Sequence, residues 1–324
     1  MVNKPVIAVI DGDEVAFKIA AACETRTVKV TNTLNSHNSS FKHKTELKNF
    51  LHGLEVPEGQ YTLEEQQQAG ELSAALHSVK VQVESIREAC KADIVEVYIS
   101  GKDNFREFIP LPTQYKSKRK DTLKPILLAD VRAYLVKKYS AKVVDFEEVD
   151  DFCCHRMWDG YKTKQKIIGV TTDKDACGNA GWLYNRDKMT EPEFIDNTLG
   201  SLFLDAKGKV RGVGRKWGYL QWLIGDSTDD YNPCELAKVK YGEKSAYKLL
   251  QSLETDKECI QAVYDTYKKW YPEPVSYVDW AGQPQTKGAV EIMQMYMDCY
   301  RMRRWVDDIV SVKDVLVRLE IDFG

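Results

Sequence analysis

Acidic side chains are concentrated in five short motifs of this sequence of 324 residues. The motifs are IDGD at 10–13, SGKD at 100–103, EVDD at 148–151, TTDKD at 171–175 and GDSTDD at 225–230. A single aspartate after a strand is usually a helix N-cap, and a short acidic run can simply begin a helix. Five such motifs in one chain are poorly explained by capping alone. Together they indicate a site for hard divalent cations.

Mg²⁺ prefers carboxylate and water oxygens in proteins, and one ion usually takes only one or two carboxylates. Two such ions about 4 Å apart can stabilise both the attacking and the leaving oxygen when a phosphodiester is hydrolysed. A two-metal site therefore needs several carboxylates, which would repel one another without the ions. The candidate ligands are Asp11, Asp103, Glu148, Asp150, Asp151, Asp173, Asp175, Asp226 and Asp229.

A basic segment, YKSKRK at 115–120, follows the second acidic motif. Its lysines and arginine could bind phosphate groups, and its tyrosine could stack on an unpaired base. The plain alternative is a solvated basic helix face. The net charge of −3 excludes a protein that is basic all over, but a local basic face is sufficient for nucleic-acid binding.

Apolar runs precede three of the acidic motifs, at 6–10, 94–99 and 166–170. Such runs predict buried parallel strands, and helical patterns alternate with them. We therefore predict an α/β fold with a largely parallel central sheet flanked by helices. Ligands of such sheets bind beyond the carboxyl ends of the strands, which is where Asp11, Asp103 and Asp173 would lie.

Further helices are predicted at 14–22, 63–90, 126–139 and 149–158, with a short strand at 141–144. After Gly225 helical patterns dominate, at 244–253, 257–270, 289–305 and 312–319. We predict a core over 1–224, with a polar insertion at about 24–60 that forms an irregular excursion or a small hairpin. Residues 225–324 are predicted to form a smaller helical module.

The composition is ordinary for a globular protein, with 43% hydrophobic and 29% charged residues. The eight cysteines form no CxxC pair, which favours reduced thiols over disulfides or a zinc site. No apolar run is long enough to span a bilayer, and the start lacks a signal-peptide pattern.

The acidic motifs, in this order, resemble the 5′-nuclease superfamily when taken together with SGKDNFREFIPLPTQYKSKRK at 100–120. This superfamily includes flap endonucleases and the 5′–3′ exonucleases of bacteriophages and bacterial DNA polymerases. The phage exonucleases are the most similar, through the FR and YKxxRK patterns followed by Lys124-Pro125. The resemblance covers about 5–15 and 94–250.

The resemblance implies a PIN-like nuclease core that cleaves DNA at or near 5′ ends with two Mg²⁺ ions, which Mn²⁺ can replace. The expected partners are DNA with 5′ ends, flaps or nicks; RNA–DNA hybrids and replication proteins stay open. It also implies a role in phage replication or recombination, and a place in the cytoplasm of a bacterial host if the chain is phage-encoded.

The resemblance also assigns roles to residues. The inner metal ligands would be Asp11, Asp103, Glu148, Asp150, Asp173 and Asp175, with Asp151, Asp226 and Asp229 completing the outer part of the site. Lys116 and Arg119 would approach the scissile phosphate as catalytic residues, and Tyr115 would stack on a terminal base. The remaining candidates for substrate phosphate in this segment are Arg106, Lys118 and Lys120.

The segment KYGEKSA at 240–246 departs from the family, where a Gly-x-Gly turn in a helix–turn–helix-like element holds duplex phosphate beside a K⁺ ion. Only the second glycine is kept here. A phosphate-binding helix start can be retained through Gly242, Lys244 and Ser245, but the departure weakens the case for K⁺.

Two alternatives belong to other classes. A haloacid-dehalogenase-like phosphatase would use Asp11 as nucleophile and Asp13 as acid, but it leaves Asp103, EVDD, DKD and the YKxxRK run unexplained. A non-catalytic nucleic-acid-binding or Ca²⁺-binding protein would not need so many carboxylates at strand ends. Hydrolysis of a small phosphomonoester, compared with that of 5′-labelled DNA, distinguishes these alternatives from a nuclease.

Overall fold

The computed structural model describes residues 4–42, 44–53, 60–119 and 122–323. The strands, in chain order, are β1 (Ile7–Asp11), β2 (Glu24–Asn32), β3 (Asn38–Phe41), β4 (Tyr61–Ala69), β5 (Ile94–Asn104), β6 (Lys142–Phe146), β7 (Ile167–Val170), β8 (Gly181–Tyr184), β9 (Glu193–Ile195), β10 (Ser201–Leu204), β11 (Val210–Val213), β12 (Val275–Val278) and β13 (Pro284–Lys287). The α-helices are α1 (Gly12–Ala22), α2 (Lys44–Gly53), α3 (Leu72–Cys90), α4 (Leu128–Tyr139), α5 (Val149–Thr163), α6 (Arg215–Ile224), α7 (Glu243–Leu250), α8 (Asp256–Trp270), α9 (Ala289–Tyr300) and α10 (Val312–Arg318). None of these helices is both long and apolar enough to cross a membrane.

The chain divides into two units. The larger contains Met1–Gly12, Ser85–Thr122 and Ser140–Gly324, and the smaller contains Asp13–Glu84 and Leu123–Tyr139.

The larger unit is built on a six-stranded sheet with the order β6-β5-β1-β7-β8-β9. Every neighbouring pair is parallel except β8 and β9. All five residues of β1 are buried between β5 and β7, which explains why its sequence is a continuous apolar run rather than an alternating one. The predicted α/β fold with a largely parallel sheet is confirmed.

A second core in this unit lies among α6, α8, α9 and α10. It joins residues such as Leu111 and Trp222 to residues as late in the chain as Ile321. The boundary predicted near Gly225 therefore falls inside the larger unit, and its core contains residues from both sides of that position. The separate helical module stays a prediction.

The smaller unit contains an antiparallel sheet with the order β3-β2-β4. The hairpin expected in the polar insertion is present as β2 and β3. The helix predicted over 63–90 is wrong at its start, because β4 pairs with β2 along the whole length of both strands, and α3 begins only at Leu72. The segment LEEQQQA has good helix formers, and cross-strand pairing overrides that local preference.

Candidate active site

Two neighbouring strands deliver carboxylates to one edge of the central sheet. Ile10 of β1 pairs with Val170 of β7, so Asp11 and the segment after Val170 leave the sheet side by side. Asp150 reaches the same place from the first turn of α5, where its Oδ1 accepts a hydrogen bond of 2.7 Å from Thr171 Oγ1. Burial raises the pKa of Asp150 well above its ordinary value, and the charges of Asp11 and Asp173 raise it further.

The TTDKD motif turns sharply after β7 and buries two more carboxylates. The backbone N–H of Asp175 donates to Asp173 Oδ1 at 2.7 Å, and that of Asp173 donates to Thr171 Oγ1 at 3.1 Å. Burial raises the pKa of Asp173, with added repulsion from Asp229 and Glu148. Burial also raises the pKa of Asp175 well above its ordinary value, and its nearest carboxylate neighbour, Asp173, adds to this. Without a cation, the fold therefore disfavours the ionised forms of these two acids.

The loop after α6 brings the fifth acidic motif to the cluster. Gly225 begins this loop with a φ of 68°, and a Cβ there would lie 2.5 Å from the carbonyl oxygen of Tyr231, so only glycine fits. Asp226 receives Lys174 Nζ at 2.7 Å. Burial acts to raise the pKa of Asp226, but the hydrogen bond and charge of Lys174 bring it below its ordinary value.

Lys116 extends its ammonium group into this acidic cluster. Its backbone N–H is held by Asp229 O at 2.9 Å, with a φ of 54°. The ammonium contacts the Glu148 carboxylate and lies 3.8 Å from Asp229 Oδ2. Burial opposes the charged form, but the charges of Glu148 and Asp229 raise the pKa of Lys116 above its ordinary value. Arg119, which is more exposed, lies 2.7 Å from Asp229 Oδ1.

Tyr115 is positioned differently from its prediction. The side chain is only 3% exposed, and its hydroxyl lies 2.9 Å from Asp229 Oδ2 and 3.3 Å from Glu148 Oε2. Its ring packs against that of Tyr231. A buried ring cannot stack on a terminal base, so that interpretation is corrected. Tyr115 instead orients two carboxylates of the cluster.

Arg106 and Asp151 form a buried ion pair beneath the cluster. Arg106 lies in the short 3-10 helix Phe105–Phe108 and is 1% exposed, while Asp151 is fully buried. The guanidinium contacts Asp151 at 2.5 and 3.0 Å and donates to the carbonyl oxygens of Cys299 and Arg301 at 2.8 and 3.0 Å. These positions correct two interpretations, because Arg106 is not placed to bind phosphate and the carboxylate of Asp151 is already engaged by a guanidinium.

Asp103 is not brought into the cluster. It is exposed and has a left-handed backbone, with a φ of 59°. It lies near the end of β5, where the pairing with β6 becomes irregular between Ser100 and Asn104. This irregularity carries β5 beyond the edge at which β1 and β7 end, so the assignment of Asp103 as an inner ligand is corrected.

The other predicted contacts lie on the surface or outside the described residues. Lys118 is exposed and its ammonium is 2.5 Å from Asp230 Oδ1, and Lys120 lies outside the described part of the chain. At the start of α7, Gly242, Lys244 and Ser245 are all exposed.

The sequence analysis missed three residues that organise the site. Asp230 Oδ2 accepts a hydrogen bond from the backbone N–H of Lys118 at 2.9 Å, which ties the basic segment to the acidic loop. Thr171 holds Asp150, and the buried Asn185 donates to Thr172 O at 3.1 Å. Asp230 and Thr171 lie within the acidic motifs, so membership of those motifs is the signal that could have identified them. Asn185 has no comparable signal in the sequence.

The donor set fits a divalent cation. Asp175 Oδ1 is buried and has no hydrogen-bond partner within the described residues, and its neighbours are carboxylates whose pKa values are raised by burial and further by the charges of other acids. Across the same residues, however, no group of three His, Cys, Asp or Glu side chains is arranged so that it could hold a metal ion. In the absence of a bound cation, the Lys116 ammonium provides part of the positive charge beside the cluster, through its contact with Glu148.

No protein-family model and no curated protein matches this sequence. Solved structures from bacteriophage T5 are similar. The T5 flap endonuclease, in a complex with DNA and metal ions, is 11% identical with a TM-score of 0.49, and the match covers 97% of this chain and 99% of that chain. A T5 protein co-crystallised with metal ions is 12% identical with a TM-score of 0.49, over 97% of this chain and 96% of that chain. A variant T5 5′-exonuclease is 10% identical with a TM-score of 0.47, over 98% and 96%. The function proposed for this chain rests on its own residues.

Proposed function

We propose that this chain is a nuclease that depends on divalent cations and hydrolyses DNA phosphodiesters. The observation that carries the proposal is the placement of the Lys116 ammonium against the half-buried carboxylates of Glu148 and Asp229, beside the buried Asp150, Asp173 and Asp175. Carboxylates with raised pKa values supply a site for cations, and a lysine beside them supplies a fixed positive charge for a phosphate. A general cation-binding protein has no need of that second feature.

The inner ligands of one or two Mg²⁺ ions would be Asp11, Asp150, Asp173 and Asp175, with Glu148, Asp226 and Asp229 around them. When bound, the ions stabilise negative charge on the attacking and leaving oxygens and activate water. Lys116 and Arg119 lie on the side of the cluster formed by Glu148 and Asp229. With cations bound at these two acids, the ammonium of Lys116 and the guanidinium of Arg119 would be placed to contact the scissile phosphate.

The finer assignment is cleavage at or near 5′ ends, in phage replication or recombination. Its support is the order of the motifs and the YKxxRK pattern in the sequence. We further propose that 225–324 binds duplex DNA, with the exposed Gly242, Lys244 and Ser245 at the start of α7 beside its phosphates. A free helix N-terminus favours such an anion.

The phosphatase alternative fits less well. It requires Asp13 as a proton donor, whereas the Asp13 carboxylate is paired with the guanidinium of Arg132. A small phosphomonoester should therefore be a much poorer substrate than DNA.

The proposal is tested by offering the purified protein 5′-labelled flap, nicked and blunt duplexes with Mg²⁺, with Mn²⁺ or with chelator. We expect cleavage that requires the cation and yields products with 5′-phosphates. The same duplexes labelled at the 3′ end report the polarity of digestion. Absence of cleavage on all of these substrates contradicts the proposal, and cleavage that persists in chelator contradicts its dependence on metal.

A further inference from the structure

A hairpin late in the chain is hydrogen-bonded to the segment that precedes the basic segment. Its strands, β12 and β13, pair in antiparallel register, and it donates to three successive backbone carbonyl groups. The Tyr277 hydroxyl donates to Pro110 O at 2.6 Å. The indole and backbone N–H groups of Trp280 donate to Ile109 O at 3.0 Å and to Leu111 O at 2.9 Å. The hairpin therefore fixes the backbone of these three residues.

The turn of the hairpin is itself held by a buried carboxylate. Asp279 Oδ1 accepts hydrogen bonds from the backbone N–H groups of Ala281 and Gln283 at 3.0 and 2.8 Å. Its Oδ2 accepts one from Gln285 Nε2 at 2.8 Å. An aspartate that bonds the backbone of its own turn fixes the conformation of that turn. Trp280 lies within the turn and is therefore held in one place.

The chain between the hairpin contact and Lys116 is short and stiff. Leu111 and Tyr115 are buried, and the ring of Pro112 fixes its φ. Lys116 has a left-handed backbone with a φ of 54°, a conformation that a residue with a side chain keeps only where its surroundings impose it. The bond from its N–H to Asp229 O holds one end of the segment, and the hairpin holds the other.

We propose that the β12–β13 hairpin is a positioning element of the active site. The hydrogen bonds of Tyr277 and Trp280 keep Lys116 in its left-handed conformation, with its ammonium against Glu148. Without these bonds the segment is no longer tied to the hairpin, and Lys116 relaxes to an ordinary backbone conformation that turns its ammonium away from the acidic cluster. The role of Lys116 toward DNA rests on the proposed function, whereas the hold of the hairpin on its backbone does not.

The hold is tested with the double variant Tyr277→Phe, Trp280→Phe, which keeps an aromatic ring at both positions and removes two hydrogen bonds. Hydrogen exchange of the full-length protein, measured by mass spectrometry in EDTA and without DNA, reports on the backbone of 113–117. One hydrogen bond of ordinary strength corresponds to about two- to tenfold in an equilibrium constant. We therefore expect exchange in 113–117 to be about fivefold faster or more than in the wild type, and unchanged exchange overturns the proposal.

The consequence for catalysis is tested with 5′-labelled flap DNA and Mg²⁺. In the double variant, kcat should fall by about fivefold or more while KM changes by less than about twofold, because a misplaced Lys116 affects the transition state more than the binding of DNA. The matched control is Ser276→Ala on β12, whose hydroxyl bonds Thr286 Oγ1 across the hairpin at 2.9 Å. It should keep both the kcat and the exchange of the wild type.

Three outcomes separate the possible explanations. Faster exchange with an unchanged kcat would make the contact a structural one and overturn the positioning role. An effect of Ser276→Ala as large as that of the double variant would assign the result to the stability of the hairpin and would also overturn it. A wild type that cleaves no DNA contradicts the proposed function, while the exchange measurement still decides whether the hairpin holds Lys116.

Discussion

Replacing Arg106 by leucine should destabilise the larger unit strongly. Arg106 is 1% exposed and Asp151 is fully buried, so the substitution leaves a carboxylate in the interior without its cation. Breaking a buried pair in this way costs about 3–5 kcal/mol. Two hydrogen bonds to Asp151 remain, from the backbone N–H groups of Arg303 at 2.9 Å and Glu148 at 3.3 Å. These bonds lower the cost, whereas the carbonyl oxygens of Cys299 and Arg301 lose their donor and raise it, so we expect a cost within that range.

The loss should depend on pH in a defined direction. In the wild type, burial opposes ionisation of Asp151, but the charge and hydrogen bonds of Arg106 hold its pKa below the ordinary value. That contribution to stability is present at neutral pH and is lost as the pH falls through the folded pKa. Without Arg106, burial should raise the pKa of Asp151, so the variant gains stability as the pH falls. The difference between the two proteins should shrink from pH 8 to pH 5.

Urea unfolding followed by tryptophan fluorescence measures this directly. The double variant Arg106→Leu, Asp151→Leu should recover part of the lost stability, because it removes the buried charge together with its partner. The recovery is incomplete because the carbonyls of Cys299 and Arg301 and the backbone N–H groups of Arg303 and Glu148 lose their hydrogen-bond partners. The control is Arg211→Leu, whose pair with Asp205 is 40% and 25% exposed, and it should cost no more than about 1 kcal/mol. A loss below about 1 kcal/mol for Arg106→Leu would refute the buried pair and restore Arg106 as a candidate phosphate contact.

Three further predictions concern single positions. Gly225→Ala should destabilise by about 1–3 kcal/mol in thermal unfolding, because its φ is 68° and its Cβ would lie 2.5 Å from Tyr231 O; Gly208→Ala, with open space around it, should cost less. Burial raises the pKa of Asp298 from 3.8 to about 6. The free energy of unfolding should therefore fall by up to about 3 kcal/mol as the pH rises from 4 to 7. In urea unfolding, Asp298→Asn should flatten this pH dependence. Lys116→Ala should lower turnover of DNA far more than it weakens DNA binding, and a loss confined to binding would make Lys116 only an affinity contact.

The sequence predicts the strands at the centre of the fold because a strand buried on both faces has a continuous run of apolar residues. The apolar runs of β1 and β7 end at the sheet edge that carries Asp11 and Asp173. The strand β4 was not predictable in the same way. Its Glu- and Gln-rich sequence favours a helix, and only pairing with β2 makes it a strand.

The positions of the site residues were likewise predictable only where they depend on local sequence. The local sequence around Tyr115 and Arg106, close to a basic run, does not distinguish a side chain that faces solvent from one that faces the interior. The burial of Tyr115 depends on Asp229, more than a hundred residues away in the sequence. That of Arg106 depends on Asp151 and on the backbone carbonyl groups of Cys299 and Arg301 at the end of α9. Asp103 was misplaced because irregular pairing between β5 and β6 leaves no local pattern.

The central claim is that the buried carboxylates hold the cations required for DNA cleavage. The most direct test is the variant Asp173→Asn, Asp175→Asn, assayed on 5′-labelled flap DNA with Mg²⁺, beside Asp265→Asn as a control at an exposed position on α8. A bound ion contributes several kcal/mol to catalysis, so the double variant should lose about a hundredfold or more in rate, while the control keeps its rate. In chelator the double variant should unfold at a higher temperature than the wild type, because it lacks two buried acids whose ionisation is opposed by burial and by the charges of neighbouring carboxylates. Undiminished cleavage by the double variant would contradict the account.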